Sequence, residues 1–211
     1  VKTVVNEVPE FTESDLQEHQ LEVLESWEKN NRRGLVKHAT GSGKTFTAIF
    51  ALKRHLEKHQ IALIIVPSIL LQRQWNTEIA RIIPECRDIL NVGGNFKNWK
   101  QKLGPWSKPS SQLNPKIIIA VADSASSDDF LGKLNQGDHL MVIADEVHTL
   151  GSQTFSKILS IDAGPRLGLS ATPERYNDLE GTEKIFTYFH GLLEPEFTLK
   201  DAIGKSLVPY N

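Results

Sequence analysis

The stretch HATGSGKT, residues 38–45, lies between an apolar run and an amphipathic one, and its residue types suit the binding of a polyphosphate. Backbone N–H groups converge on phosphate oxygens only where bulky side chains are absent, and Gly41 and Gly43 meet that need. Thr40 and Ser42 complete the loop, Lys44 can reach the outer phosphates, and Thr45 can offer its hydroxyl to Mg²⁺. A helix beginning at Lys44 would add the positive end of its dipole. The strict form of such a loop needs glycine where His38 stands, so the match is incomplete. A helix-entry turn with a surface lysine is the plain alternative. A hundred residues after Thr45 comes HLMVIADEVH, an apolar run that ends in two carboxylates. Asp145 can hold the hydration shell of Mg²⁺, and Glu146 can orient or deprotonate an attacking water. Solvated acids at a loop are the plain alternative here. A nucleotide site needs both stretches, each at a strand exit.

The chain supplies strands in the required places. Short runs rich in Val, Ile and Leu, with little alternation, predict strands over Gly34–Ala39, Ile61–Val66, Lys116–Ala122, Leu140–Ala144 and Arg166–Ser170. Helical spacing separates them. Leu16, Gln20, Leu24 and Trp27 mark one helix, with Thr12 and Asp15 as a capping box at its start. Ile49, Leu52 and Leu56 mark a second, and Ile69–Ile83 a third, stopped by Pro84. Residues 93–115, rich in Gly, Pro, Ser and Lys, predict an irregular excursion. Strands alternating with helices predict one α/β domain around a mostly parallel sheet with helices on both faces.

Gross properties narrow the class. At 211 residues one domain suffices. Lys plus Arg number 24 against 26 for Asp plus Glu, which excludes a global pull toward nucleic acid but not a local basic face. A lone cysteine, Cys86, rules out an intrachain disulfide and fits a reducing, intracellular setting, cytoplasmic or, in a eukaryote, nuclear. No apolar run is long enough to span a membrane, and no membrane partner is expected. The opening VKTVVNEVPE has neither the basic start nor the apolar core of a secretory signal, and the absent initiator methionine suggests an excised or processed segment.

Four stretches in order, HATGSGKT, IIVPSILLQRQW, ADEVH and GLSATP, resemble motifs I, Ia, II and III of superfamily-two helicases and translocases. In that family the first position of motif I is often not glycine, which removes the objection at His38. The nearest branch holds XPB-type repair helicases and the motor subunits of type I and III restriction enzymes, and the tail FHGLLEPEFTLKDAIGKSLVPYN is similar to the segment leading out of their first motor domain. The resemblance implies a RecA-like P-loop NTPase domain over residues 1–195, with 196–211 starting a linker toward a second RecA-like domain that carries the remaining motifs. It implies ATP and Mg²⁺ as ligands, bound by Thr40–Thr45 and Asp145, with Lys44, Asp145 and Glu146 catalytic. Gln20 matches the glutamine that reads adenine, although the family usually has arginine where Gln17 stands. His148, Ser170 and Thr172 would couple nucleotide state to the nucleic-acid track. Pro67 and Ser68, Gly93 and Gly94, and Asp123 and Ser124 would contact the sugar-phosphate backbone, DNA being favoured over RNA. Trp99 and Trp106, among Lys97, Lys100, Lys102 and Lys108, form either a stacking patch for unpaired bases or two anchors of a solvated loop. The implied activity is that of an ATP-driven DNA helicase. The alternatives are a duplex translocase that does not separate strands, and a nucleotide-gated sensor of nucleic acid.

Overall fold

The computed structural model describes residues 11–58, 60–96, 98–109 and 116–203. Six strands form the sheet: β1 (Arg33–Lys37), β2 (Ile61–Val66), β3 (Ile89–Val92), β4 (Lys116–Val121), β5 (Leu140–Asp145) and β6 (Arg166–Ser170). The helices are α1 (Glu18–Lys29), α2 (Lys44–Leu56), α3 (Ile69–Ile82), α4 (Trp99–Trp106), the single turns α5 (Ala122–Ala125) and α6 (Asp128–Leu131), α7 (Leu179–Phe189) and α8 (Leu199–Ala202). The spatial order is β1-β6-β5-β2-β4-β3 and every pairing is parallel, so the sheet is wholly rather than mostly parallel. Parallel pairing brings all six carboxyl ends to one edge, where ligands bind in such sheets.

Both faces are covered, which explains the unbroken apolar runs. Along β2, Ala62, Ile64 and Val66 enter one core with Val23 and Trp27 of α1, Ile49 and Leu52 of α2 and Trp75 of α3. Ile61, Leu63 and Ile65 enter the opposite core with Trp99 and Leu103 of α4, Phe130 of α6 and Phe189 of α7. Burial on both faces demands apolar side chains at successive positions. Trp27 shows no exposed surface, and its indole nitrogen donates to the Arg166 carbonyl at 3.0 Å, tying α1 to β6. Trp27→Ala should lower the unfolding free energy by about 3–5 kcal/mol, read as a shifted urea midpoint. A change under about 1 kcal/mol would mean that this core relaxes to fill the space.

Several boundaries differ from the sequence reading. β1 ends at Lys37 because the chain beyond it pairs elsewhere: His38 bridges Phe197, and the Ala39 N–H donates to the Phe197 carbonyl at 2.7 Å. Residues 192–197 thus border the free edge of β1. β4 stops at Val121, where Ala122 opens α5, and β5 includes Asp145. The Thr12–Asp15 capping box closes a separate single turn over Glu13–Asp15, and α1 begins after Gln17 with a box of its own. The excursion after Val92 contains α4, and residues 110–115 of it lie outside the described part. Strand β3 was missed: four residues alternating in burial beside charged neighbours carry little apolar signal. No helix among the described residues is long and apolar enough to cross a membrane.

Candidate nucleotide site and nucleic-acid edge

The loop leaving β1 turns through Gly41 and Gly43 at φ of 82° and 80°, backbone that side chains strongly disfavour, and α2 starts at Lys44. At Gly43 a Cβ would also fall 2.3 Å from Nε2 of Gln20. Gln20 braces this loop. Its Oε1 accepts from the Gln17 N–H at 2.8 Å, closing the box of α1, while Nε2 donates to the carbonyls of Ser42 at 3.0 Å and Gly43 at 3.4 Å. The residue expected to read adenine is therefore buried here and engaged with the phosphate loop itself. Thr40 and Gly41 are exposed at the loop's crest, and Thr45 follows in the first turn of α2.

Lys44 folds back over the loop, its Nζ donating to the carbonyls of His38 at 2.9 Å and Ala39 at 3.2 Å. Burial pulls the amine's pKa down, against the charges of Glu146 and Asp145, which support the ammonium form. The lysine and the acidic pair therefore share one electrostatic environment despite their separation in sequence. Strand register explains it: Lys37 pairs with Ser170, and Asp145 with Leu169, so β6 brings the end of β1 next to the end of β5. Asp145 Oδ1 accepts from the Glu146 N–H at 3.0 Å, and Oδ2 from the Trp75 indole N–H at 2.8 Å. Glu146 takes left-handed backbone at φ 47°, turning the chain sharply after the strand. His148 Nδ1 lies 3.2 Å from Ser170 Oγ and 3.4 Å from Glu146 Oε2, and Ser170 Oγ accepts the Thr172 N–H at 3.1 Å. Sequence reasoning gave no role of its own to Trp75, the last residue of the stretch resembling motif Ia, nor to Arg175, whose Nη1 donates to the His148 carbonyl and whose Nε donates to Asp178 at 2.6 Å.

These groups fit a magnesium-bound polyphosphate. The loop offers an ammonium, a helix start and the buried Ser42 hydroxyl, which has no hydrogen-bond partner in the protein. A carboxylate has about four lone-pair positions, and Asp145 uses one on each oxygen, leaving room for a metal's water shell.

His38, where the strict form of the loop has glycine, is fully buried, with its ring nitrogen Nε2 donating to the Pro195 carbonyl at 2.9 Å. Its side chain serves the β1 edge, which is why a bulky residue is tolerated at this position. Burial brings the pKa of His38 from 6.5 down to about 4, and burial does the same to His55 on α2. A depressed histidine pKa means that the unfolded chain takes up a proton first as pH falls below 6.5. Stability is therefore complete above that pH, declines toward pH 4, and loses roughly 2 kcal/mol per histidine by pH 5. Thermal melts at pH 8 and pH 5 should show this slope, and His38→Gln should flatten it. An unchanged slope would mean that His38 titrates alike folded and unfolded.

The other half of the carboxyl edge assembles the remaining motif residues. Pro67 and Ser68 leave β2, with Ser68 Oγ accepting the Leu71 N–H at 3.3 Å to cap α3. Gly93 and Gly94 leave β3 at φ of 109° and 57°. Asp123 and Ser124 form α5 at the exit of β4. Since β2, β4 and β3 are neighbours, the three pairs come together: a Cβ on Gly93 would sit 3.0 Å from Ser124 Oγ, and one on Gly94 2.6 Å from Ile69 Cδ1. Asp123 is exposed and carries the wrong charge for a phosphate, leaving Ser124 as the neutral donor of the pair. Of the two readings of this segment, Trp99 takes the anchoring one. Trp99 is buried 5.8 Å from the Phe130 ring, Lys100 pairs with Asp129 at 2.9 Å, and Lys97 lies outside the described residues.

Known proteins resemble this chain in sequence and fold. The family described as "Type III restriction enzyme, res subunit" matches residues 13–175. A Rad25 protein of Halobacterium salinarum, named as a candidate DNA 3'-5' helicase, is 26% identical over 202 residues, covering 93% of this chain and 31% of its own length. The Hef helicase domain of Pyrococcus furiosus superposes with a TM-score of 0.63 at 17% identity over 88% of this chain and 39% of that one. The type ISP restriction-modification enzyme LlaBIII, solved bound to DNA, gives 0.68 at 18% identity over 90% of this chain and 16% of its own. The chain thus spans less than a third of the first relative, and the two structures, at these identities, speak for the fold.

Proposed function

The chain belongs to the family of the type III restriction enzyme res subunit and is an N-terminal RecA-like motor domain of superfamily two, and from that premise we propose that it binds ATP·Mg²⁺ as the first half of a DNA-dependent motor. The observation that carries this reading is the meeting of Lys44, Asp145 and Glu146 at the adjacent ends of β1, β6 and β5. In it, the amides of Thr40–Gly43 and the Lys44 ammonium would hold the phosphates, while Thr45 and Asp145 would hold the metal. The magnesium ion, when bound, neutralises charge on the phosphate oxygens. Glu146 orients the attacking water and receives its proton. His148, Ser170 and Thr172 pass nucleotide state along β6, and Gln20, which braces the loop, contacts the adenine.

DNA runs along Pro67, Ser68, Gly93, Gly94 and Ser124, with Asp123 turned away from the phosphates by its charge, where small residues and helix starts let a phosphate backbone approach. Contacts of that kind do not read bases. Residues 1–195 form the ATP-binding unit and 196–211 lead to a second RecA-like domain, which supplies the arginine that stabilises transition-state charge. The family match also supports a second reading, translocation along duplex without strand separation. Strand-displacement and triplex-displacement assays on the full-length protein separate the two: a helicase is active in both, a translocase only in the second. Calorimetry of the 211-residue chain tests the common premise, and absence of Mg²⁺-dependent heat with ATP and ADP would remove it.

A further inference from the structure

The bond between Trp75 and Asp145 joins the two halves of the carboxyl edge. We propose that Trp75 is the positioning residue of the metal carboxylate, and that α3 links nucleic-acid contact at Ser68 to Asp145 through it. The inference deepens the reading above and rests on Asp145 being the metal carboxylate.

Three observations carry it. First, Trp75 is fully buried and its indole N–H, a donor with no acceptor capacity, ends on Oδ2 of a carboxylate that is itself buried. With Oδ1 held by the Glu146 N–H, the carboxylate is fixed in rotation by donors from two different elements, and one of them is α3. Second, α3 is tied to the nucleic-acid side along the same stretch. Gln72, one turn before Trp75, donates from Nε2 to the carbonyls of Val92 at 3.0 Å, the last residue of β3, and of Ile119 at 2.8 Å, within β4, and Asn76 bonds Asn91 of β3 at 2.8 Å. Third, the helix begins at Ser68, and Gly94 comes so close to Ile69 that a Cβ there could not be accommodated without a shift. From Ser68 to Trp75 a helix spans about 10 Å, short enough to move as one rigid body. A phosphate backbone seated against Ser68 and Gly94 therefore bears on the element that holds Oδ2. Partners of this type, one bond behind a metal ligand, typically govern ten- to a hundredfold in metal affinity.

The test uses the ¹⁵N-labelled 211-residue chain, in which Trp75→Phe identifies the Trp75 indole resonance and removes the donor while keeping an aromatic ring. Expected is a Mg²⁺ affinity of the ADP-loaded chain lowered roughly ten- to a hundredfold, with ADP affinity in the absence of Mg²⁺ unchanged. In the wild-type chain the indole resonance should shift on Asp145→Asn, move with Mg²⁺ saturation of the ADP-loaded protein, and move again when a short single-stranded oligodeoxynucleotide binds. An unaltered Mg²⁺ dependence in Trp75→Phe overturns the positioning role. Should that variant not fold, the resonance is identified by sequential NMR assignment instead, and an indole indifferent to Mg²⁺ in the wild type overturns the role equally. An oligonucleotide that binds by fluorescence anisotropy without moving the resonance overturns the link through α3. Failure of the site reading looks different: Mg²⁺ then has no effect on ADP binding in the wild type, although Asp145→Asn still shifts the indole.

Discussion

Glu146→Gln in the full-length protein should lower the rate of ATP turnover by about 10²–10⁴-fold while leaving ATP affinity within a few-fold. The substitution keeps the shape of the side chain and removes its capacity to accept a proton. Glu146 is suited to that task by its surroundings: it follows the strand in left-handed backbone, is not part of the bond network that holds Asp145 except through its own N–H, and lies 3.4 Å from His148. Binding should survive because the Lys44 ammonium, the loop amides and the Asp145 carboxylate are untouched. Steady-state hydrolysis with saturating DNA, paired with nucleotide binding, checks both halves. Unchanged turnover would strip Glu146 of its role and favour a sensor that binds without hydrolysis.

The 211 residues alone should hydrolyse ATP about 10³–10⁵-fold more slowly than the full-length protein, the factor that a transition-state arginine supplies in related phosphoryl-transfer sites. Arg175, the arginine next to the Ser170–Thr172 turn, does not fill the position. Its guanidinium is committed to the His148 carbonyl and to Asp178, with the N–H of the same residue bonded to Thr182. Single-turnover hydrolysis by the two chains measures the ratio. Comparable rates would place the transition-state cation within these residues, and Arg175→Ala would then be the variant to examine.

The acid sensitivity expected from His38 and His55 has one cause. Both rings are kept neutral by burial, and His38 exchanges the glycine of the strict loop for a bond to the exit segment at Pro195. The phosphate loop is therefore anchored from outside the sheet by residues 195–197 and from inside by Gln20.

What the sequence determined by itself was the content of each strand exit. Glycines at 41 and 43 with lysine at 44, two acids closing an apolar run, and Ser170–Thr172 before a proline are local patterns, because the chemistry they imply lies within a few consecutive residues. The parallel sheet was legible for a similar reason: strands buried on both faces carry continuous apolar runs, and those runs alternate with helical spacing. Strand β3 escaped because four residues alternating in burial resemble a loop, and α4 because its Gly, Pro and Lys content is that of an irregular segment.

Only the tertiary structure decided what these exits meet. The order β1-β6-β5-β2-β4-β3 places Lys44 in the field of Asp145 and Glu146 on one half of the edge and gathers Ser68, Gly93, Gly94 and Ser124 on the other. It also turned Trp75, which the sequence gives no role of its own, into the donor that holds Asp145, and Trp99 from a possible stacking surface into a core anchor. Such partnerships depend on which strands are neighbours and in what register. Those are set by long-range packing of both sheet faces, which no window of neighbouring residues encodes.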